Sequence, residues 1–333
     1  MGLVRTVLGD IDAVALGVTY AHEHLVIAGG RPIEVYPDIL LDSVDKAVEE
    51  LAPAQRLGLR SVVDAMPADC GRDVEMLAEI SRMSGANVIA ATGLHTIRYY
   101  HDRHWSRRLD IDAMAGLFAD EIEVGIDILD LAGPNIVRSE HRAGVIKVGG
   151  WDDFPGERDR RVFEAAAIAQ TLTGAPILTH CEQGLRAPEQ VRFLVDRGAD
   201  PSHIVVSHVD KVVDRTYHRD IVAAGASVEY DQASRWGDRD NGTLQLLEWM
   251  AQDGHINKVV MGHDHARRSH WAAYGGSPGL SYLLGEFSQR MKERGLSADV
   301  RSAIFRTNPA AAFSFARTPA SATAGSALST IDA

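Results

Sequence analysis

Eight short runs rich in Val, Ile and Ala recur along the chain, at residues 18–27, 60–67, 87–95, 143–150, 176–182, 203–210, 226–232 and 258–266. Most are apolar without a break instead of alternating with polar residues. Strands of that kind are buried on both faces, which is the pattern of a parallel sheet covered by helices. Segments with helical spacing lie between them. Asp42 can cap a helix over 43–57, and Val162, Phe163, Ala166, Ala167 and Ile168 fall near one face of 160–172. Pro188 suits the first turn of 188–196, and Ser297 can cap 298–305. Eight βα repeats in 333 residues predict a (β/α)8 barrel over residues 1–315. A doubly wound sheet would more often show about six strands and a Gly-rich phosphate turn, and no GxGxxG follows a run here.

Two connections are long, 28–59 and 96–142, and such insertions usually shape the substrate side of a barrel mouth. The second carries Arg98, Tyr99, Tyr100, His101, Arg103, His104 and Trp105, readable either as a solvated loop or as a substrate lid with Tyr99 as a substrate contact. Residues 316–333 are small and polar, the composition of a poorly ordered tail.

Charge and cysteine content narrow the function. The 34 Lys and Arg against 46 Asp and Glu give a formal charge of −12, which disfavours a dedicated nucleic-acid binder. No apolar run reaches the roughly 18 residues of a spanning helix, so no membrane partner is expected. Cys70 and Cys181 form neither a disulfide framework nor a CxxC knuckle, and the opening residues lack a secretory signal, so a reducing cytoplasm is the expected compartment. Gly2 and Thr6 fit a loose myristoylation pattern, but residues 6–8 read better as the start of a strand.

The chemistry collects at the carboxyl ends of the runs. His22 and His24 stand two apart in the first run, so both imidazoles face one way. Lys147 lies inside Val145-Ile146-Lys147-Val148, where a bare ammonium is expensive to bury without a partner. Run five delivers His180, run six His208 and run eight Asp264. Each alone has a bland explanation as a satisfied core histidine, a snorkelling lysine or a loop cap. Converging from five strands on one rim, they form a donor set suited to Zn²⁺ and similar divalent ions, with enough members for two. Glu23 and His263 alternate away from that rim, His265 stays unassigned, and Cys181 reads as small core filler.

The opening Thr6-Val7-Leu8-Gly9-Asp10-Ile11, followed by Leu16-Gly17-Val18-Thr19-Tyr20-Ala21-His22-Glu23-His24-Leu25, resembles the N-terminal signature of the phosphotriesterase-like family of the amidohydrolase superfamily. The resemblance runs to about Ser314. It implies a binuclear centre in which His22, His24 and Asp264 hold one ion and His180 and His208 the other. The ions would be Zn²⁺, with Mn, Co or Fe as alternatives. It also implies that Lys147 reacts with carbon dioxide and that its carbamate bridges the pair together with a hydroxide. A carbamate is an anion that two dications stabilise, which removes the cost of the buried ammonium. Attack of that hydroxide on a polarised carbonyl or phosphoryl centre follows, with Asp264 passing the proton towards the leaving alkoxide. Lys147 and Asp264 are the residues expected to carry catalysis.

His180-Cys181-Glu182-Gln183-Gly184 with Pro188-Glu189-Gln190, and Asp264-His265-Ala266-Arg267-Arg268 before Tyr274-Gly275-Gly276, look more like the sugar-lactonase branch than the triesterase branch. Members of that branch open phosphorylated furanose lactones, and Arg235, Arg267 and His270 stand at or near the implied phosphate-binding positions. Arg235 and His270 replace a lysine and a tyrosine of related enzymes, and Ser207 replaces a glycine. The expected activity is hydrolysis of a small-molecule sugar-acid lactone by a homodimer. Organophosphate triesters, carboxylic esters and N-acyl amides are alternative substrates of the same centre, and a non-catalytic binding barrel is the alternative from another class.

Overall fold

A computed structural model describes residues 2–236 and 241–316. The expected tail lies outside the described residues from 317 onward. Two strands, β1 (Leu3–Thr6) and β2 (Gly9–Asp12), form an antiparallel hairpin before the main sheet. Eight parallel strands follow: β3 (Val18–Glu23), β4 (Leu59–Asp64), β5 (Asn87–Leu94), β6 (Val145–Gly150), β7 (Ile177–Cys181), β8 (Ile204–Ser207), β9 (Ser227–Tyr230) and β10 (Val259–Met261). They pair in sequence order from β3 to β10. The (β/α)8 architecture expected from the eight runs is therefore present.

The sheet closes on itself where the last strand meets the first. His263 and Asp264 donate backbone N–H groups to the carbonyl oxygen of His22, at 3.2 and 3.1 Å. Gly262 makes this possible, because a Cβ there would stand 2.4 Å from the same oxygen. Glu23 reinforces the seam by accepting from the backbone N–H of His263 at 2.9 Å and from its ring Nδ1 at 2.6 Å.

Side chains divide into two apolar layers. Ala21, Val63, Ala65, Ile89, Ala91, Val145, Leu178, Val205 and Val260 fill the barrel interior. Val62, Val88, Ile146, Ile177, Val206 and Val228 face outward, beneath helices that include Val44–Arg56, Val74–Ser84, Ile111–Glu123, Glu157–Thr173 and Ala187–Val195. Among the described residues no helix is long and apolar enough to cross a membrane.

Helix positions follow the expectations with one change of cap. Ser43, not Asp42, accepts from the backbone N–H of Lys46, while Asp42 pairs with Arg268 at 2.7 Å. Ser297 caps Ala298–Ser302 as expected, accepting from Val300. Neither long connection is structureless: the first holds helices Gly30–Val35 and Val44–Arg56, and the second holds Ile111–Glu123.

Candidate metal centre

Strand parity places most of the donors. Lys147 shares its side of β6 with Val145, and His180 its side of β7 with Leu178, both interior residues, so each points into the barrel one pleat further on. On β3 the alternation is broken. The register against β4 shifts between Tyr20 and Glu23, so His22 follows interior Ala21 inward while Glu23 turns out to His263. His24 lies just past the strand, where Asp64 holds the departing chain by accepting from the N–H of Leu25 at 2.6 Å.

His208 and Asp264 also lie beyond their strands, and both adopt left-handed backbone conformations, φ 66° and 51°. Such a conformation costs on the order of 1 kcal/mol or more for a residue with a Cβ. Here it swings both side chains back over the barrel axis.

The six expected donors come together. Nε2 of His24 and of His22 lie 3.3 and 3.7 Å from Asp264 Oδ1, and Lys147 Nζ is 3.5 Å from His22 Nε2. Nε2 of His208 is 2.8 Å from Nδ1 of His180. His22, His24 and Asp264 form one group able to hold an ion, and His22 is shared with a second group made with His208, Glu229 and Asp231.

Carboxyl groups take the other nitrogen of three of these imidazoles. Glu229 Oε2 lies 3.2 Å from Nδ1 of His22, Asp231 Oδ2 2.5 Å from Nδ1 of His208, and Glu182 Oε2 3.1 Å from Nε2 of His180. Burial and the neighbouring His208 push His180 down to about 3, and burial lowers His208 despite Asp231. The hydrogen bond from His180 holds the Glu182 carboxyl down to about 2. Burial opposes ionisation of Asp231, yet its close contact with His208 keeps it well below the usual carboxylate range. With a carboxyl group at each outer nitrogen, the inner nitrogens of His180 and His208 stand 2.8 Å apart at the bottom of the cage. A cation would take these inner nitrogens as donors, and the imidazole and carboxylate groups gathered here fit divalent metal ions.

Lys147 makes the same point from charge. It is 1% exposed, and among the described residues no carboxylate oxygen lies within 4.0 Å of its Nζ. Burial pushes its ammonium down to about 8. Burial would raise the Asp264 carboxyl, but the hydrogen bond from His24 and the charge of Arg235 hold it well below the usual range.

Five of these donors, His22, His24, His180, His208 and Asp264, floor a cavity of about 400 Å³ at the carboxyl ends of the strands. All four expected substrate contacts, Tyr99, Arg235, Arg267 and His270, line it. Arg235 also donates to Asp264, at 2.8 Å to the carbonyl and 3.3 Å to Oδ2, so it braces a candidate ligand as well as facing the cavity. Arg267 stands further out, 3.9 Å from Asp38. His263 is held by Glu23 and Leu283, and Cys181 donates to Gln190 at 3.3 Å, so both are structural.

Other residues of the site were not assigned from the letters. Asp231 ends the run at 226–232, so the strand-end rule that found His208 reaches it too. His95 ends the run at 87–95, one residue past β5, and its ring centroid is 4.8 Å from that of His180. Arg98 and Glu182 depend on how the loops fold.

Fold and site together define a (β/α)8 barrel with a candidate two-cation donor cage at its carboxyl-terminal mouth. Residues 2–313 match the Phosphotriesterase family, and the chain belongs to that family. A phospho-furanose lactonase of Mycoplasmopsis synoviae is 30% identical over 93% of this chain and 91% of its own length. The crystal structure of a lactonase from Listeria monocytogenes superposes with a TM-score of 0.86 at 25% identity, covering 95% of this chain and 100% of that one. The phosphotriesterase homology protein of Escherichia coli, crystallised with phosphate in its active site, gives 0.81 at 28% identity over 90% and 99% of the two chains.

Proposed function

We propose that this protein is a metal-dependent lactonase that opens the ring of a phosphorylated sugar-acid lactone, with Zn²⁺ as the resident ion. The observation that carries the reading is the donor group His22, His24 and Asp264, with the inner nitrogens of His180 and His208 2.8 Å apart beside it, at the floor of a cavity lined by Arg98, Arg235 and Arg267. His22, His24 and Asp264 would hold one cation and His180 and His208 the other. When bound, the cations supply Lewis acidity, bringing the pKa of a water near neutral and polarising the carbonyl under attack.

The chain's own groups do the rest. Asp264, held between His24 and Arg235, is an ionised carboxylate positioned to take a proton and return it to the leaving ring oxygen. Lys147, buried and, among the described residues, without a carboxylate oxygen within 4.0 Å of its Nζ, would be carried as its carbamate. A guanidinium fork matches a phosphate dianion, and Arg267 at the rim can reach a substituent remote from the reacting carbonyl. The name of the M. synoviae relative favours the same substrate class.

The test is a hydrolysis panel of sugar lactones with and without phosphate, N-acyl amides and organophosphate triesters. It is run on protein stripped by a chelator and then reloaded with Zn²⁺, Mn²⁺, Co²⁺ or Fe²⁺, with and without bicarbonate. The expected result is turnover restored by metal, increased by bicarbonate and fastest on phosphorylated lactones. Faster cleavage of a triester or amide, or turnover that survives stripping, overturns the proposal.

A further inference from the structure

The three carboxyl groups behind the candidate donors are not equivalent. Glu229 and Asp231 are fully buried on or next to β9, but Glu182 lines the cavity. The chain leaves β7 and reverses at once, with Gln183 at φ 52° and Gly184 at φ 74°. A Cβ on Gly184 would stand 2.5 Å from the carbonyl oxygen of His208, and the hydroxyl of Tyr217 donates to the Gly184 carbonyl at 2.7 Å. The turn is thus pinned against the strand end that carries His208. It sets Glu182 over His180, two residues away on the same side of an extended segment.

Glu182 then divides its two oxygens. Oε2 accepts from Nε2 of His180 at 3.1 Å, while Oε1 accepts from Gln183 Nε2 at 3.1 Å and stands 4.0 Å from NH1 of Arg98. Arg98 comes from the connection after β5, and its guanidinium lies over the rings of Tyr99 and Trp151 at 4.9 and 5.4 Å. We propose that Glu182 is a positioning residue that fixes the tautomer and ring orientation of His180 and, through Arg98, couples one cation site to the substrate side of the mouth. The inference rests on the reading of His180 as a cation donor.

The coupling has a physical direction. With Glu182 accepting from Nε2, the Nδ1 lone pair of His180 is directed at the cage. Without that acceptor the ring is free to carry its proton on Nδ1 and to withdraw the donor. An anionic substrate group that attracts Arg98 competes with Glu182 for the same guanidinium.

Zn²⁺ is titrated into stripped protein against a chromophoric chelator, and the ring nitrogens of His180 are followed by ¹⁵N NMR. In Glu182→Ala, one of two cations is expected to bind about tenfold to a hundredfold more weakly while the other keeps its affinity, which serves as the internal check on folding. The His180 signal is expected to move from the Nε2–H tautomer to a mixture. Glu182→Gln should lose less, because its amide oxygen still accepts. In a cycle on the KM of a phosphorylated lactone, Arg98→Met and Glu182→Gln should be non-additive by more than about threefold. Unchanged affinity for both cations in Glu182→Ala overturns the positioning role, and strict additivity overturns the coupling. If His180→Asn also keeps both cations, the donor reading itself fails instead.

Discussion

The two ends of the barrel are made by the same eight strands and are chemically opposite. At the amino ends, Val4 of the hairpin, Leu16 and Phe313 are buried with the interior layer, and Val7 donates to the carbonyl of Val88 at the start of β5. At the carboxyl ends stand the imidazoles of His22, His24, His180 and His208, the buried Lys147, and His208 and Asp264 in left-handed conformations. One end gains stability from apolar burial. The other holds polar groups that are costly to bury and strained backbone that is costly to form. Such a division makes stability and chemistry separable, which is what barrels of this kind exploit.

The sharpest way to break the comparison is Asp264→Asn. The amide keeps the shape of the side chain but takes no proton, so kcat is expected to fall by about 10²- to 10⁴-fold on the best lactone. The melting temperature of the stripped protein should stay close to wild type, because the substitution removes a charge from a strained and polar end. Steady-state kinetics and a melt in chelator check both halves. Full activity would remove Asp264 from proton transfer, and a large loss of stability would erase the distinction between the ends.

Phe313→Ala is the converse experiment. The ring is fully buried against the amino ends of the strands, and a Phe-to-Ala cavity costs about 3–5 kcal/mol. Denaturant titration should report that loss, while kcat of the folded fraction stays within about twofold. A matching fall in kcat would mean that the two ends are coupled through the interior layer.

The letters disclosed these two ends unequally. All eight runs became strands because unbroken apolar sequence is what a doubly covered parallel strand needs. Their carboxyl ends were overestimated: the run at 258–266 keeps only Val259–Met261 in the ladder. Gly262 there serves the closing seam, and Asp264 has turned left-handed. The donors were legible because a charged or imidazole side chain in an apolar run is conspicuous. The shift on β3 that turns His22 inward was not, since it depends on register against β4. Arg98 and Glu182 were quoted among loop and signature residues without a role, because their meeting depends on two connections whose paths no local pattern fixes. The arginine-rich rim was legible in composition and not in geometry: Arg235 was expected to face substrate and also grips Asp264.

A smaller effect is expected within the site end, between floor and rim. The Arg267 side chain is 41% exposed and 3.9 Å from Asp38, so Arg267→Ala removes little from the fold. A charge-assisted hydrogen bond to phosphate contributes about 1.5–3 kcal/mol, so KM for a phosphorylated lactone should rise about tenfold or more with kcat little changed. KM for the same lactone without phosphate should not move. An equal rise for both would make Arg267 a general wall of the cavity and remove the main support for a phosphorylated substrate.

The smallest effect returns to the closed end. Asp10 on β2 accepts from Arg5 Nε at 2.8 Å and from NH2 at 3.0 Å, and Arg5 reaches on to the carbonyl of Ile122, which ties the hairpin to the helix Ile111–Glu123. The hydrogen bond from Arg5 holds the Asp10 carboxyl below its usual range although partial burial pushes the other way. A carboxyl with a depressed folded-state pKa adds stability that is fully present above the unfolded value, near 3.9, and is lost as pH falls through the folded one. Asp10→Asn should therefore lower stability by no more than about 1 kcal/mol at pH 7, the range of a partly exposed pair. That gap should begin to shrink as the pH drops below the unfolded value near 3.9 and vanish once the pH has fallen through the depressed folded value, where folded wild-type Asp10 is protonated too. Melts of both proteins from pH 7 to pH 3 measure it. A gap that stays constant across the range would assign the hairpin's attachment to apolar burial alone, making the closed end still less polar than the comparison of the two ends supposes.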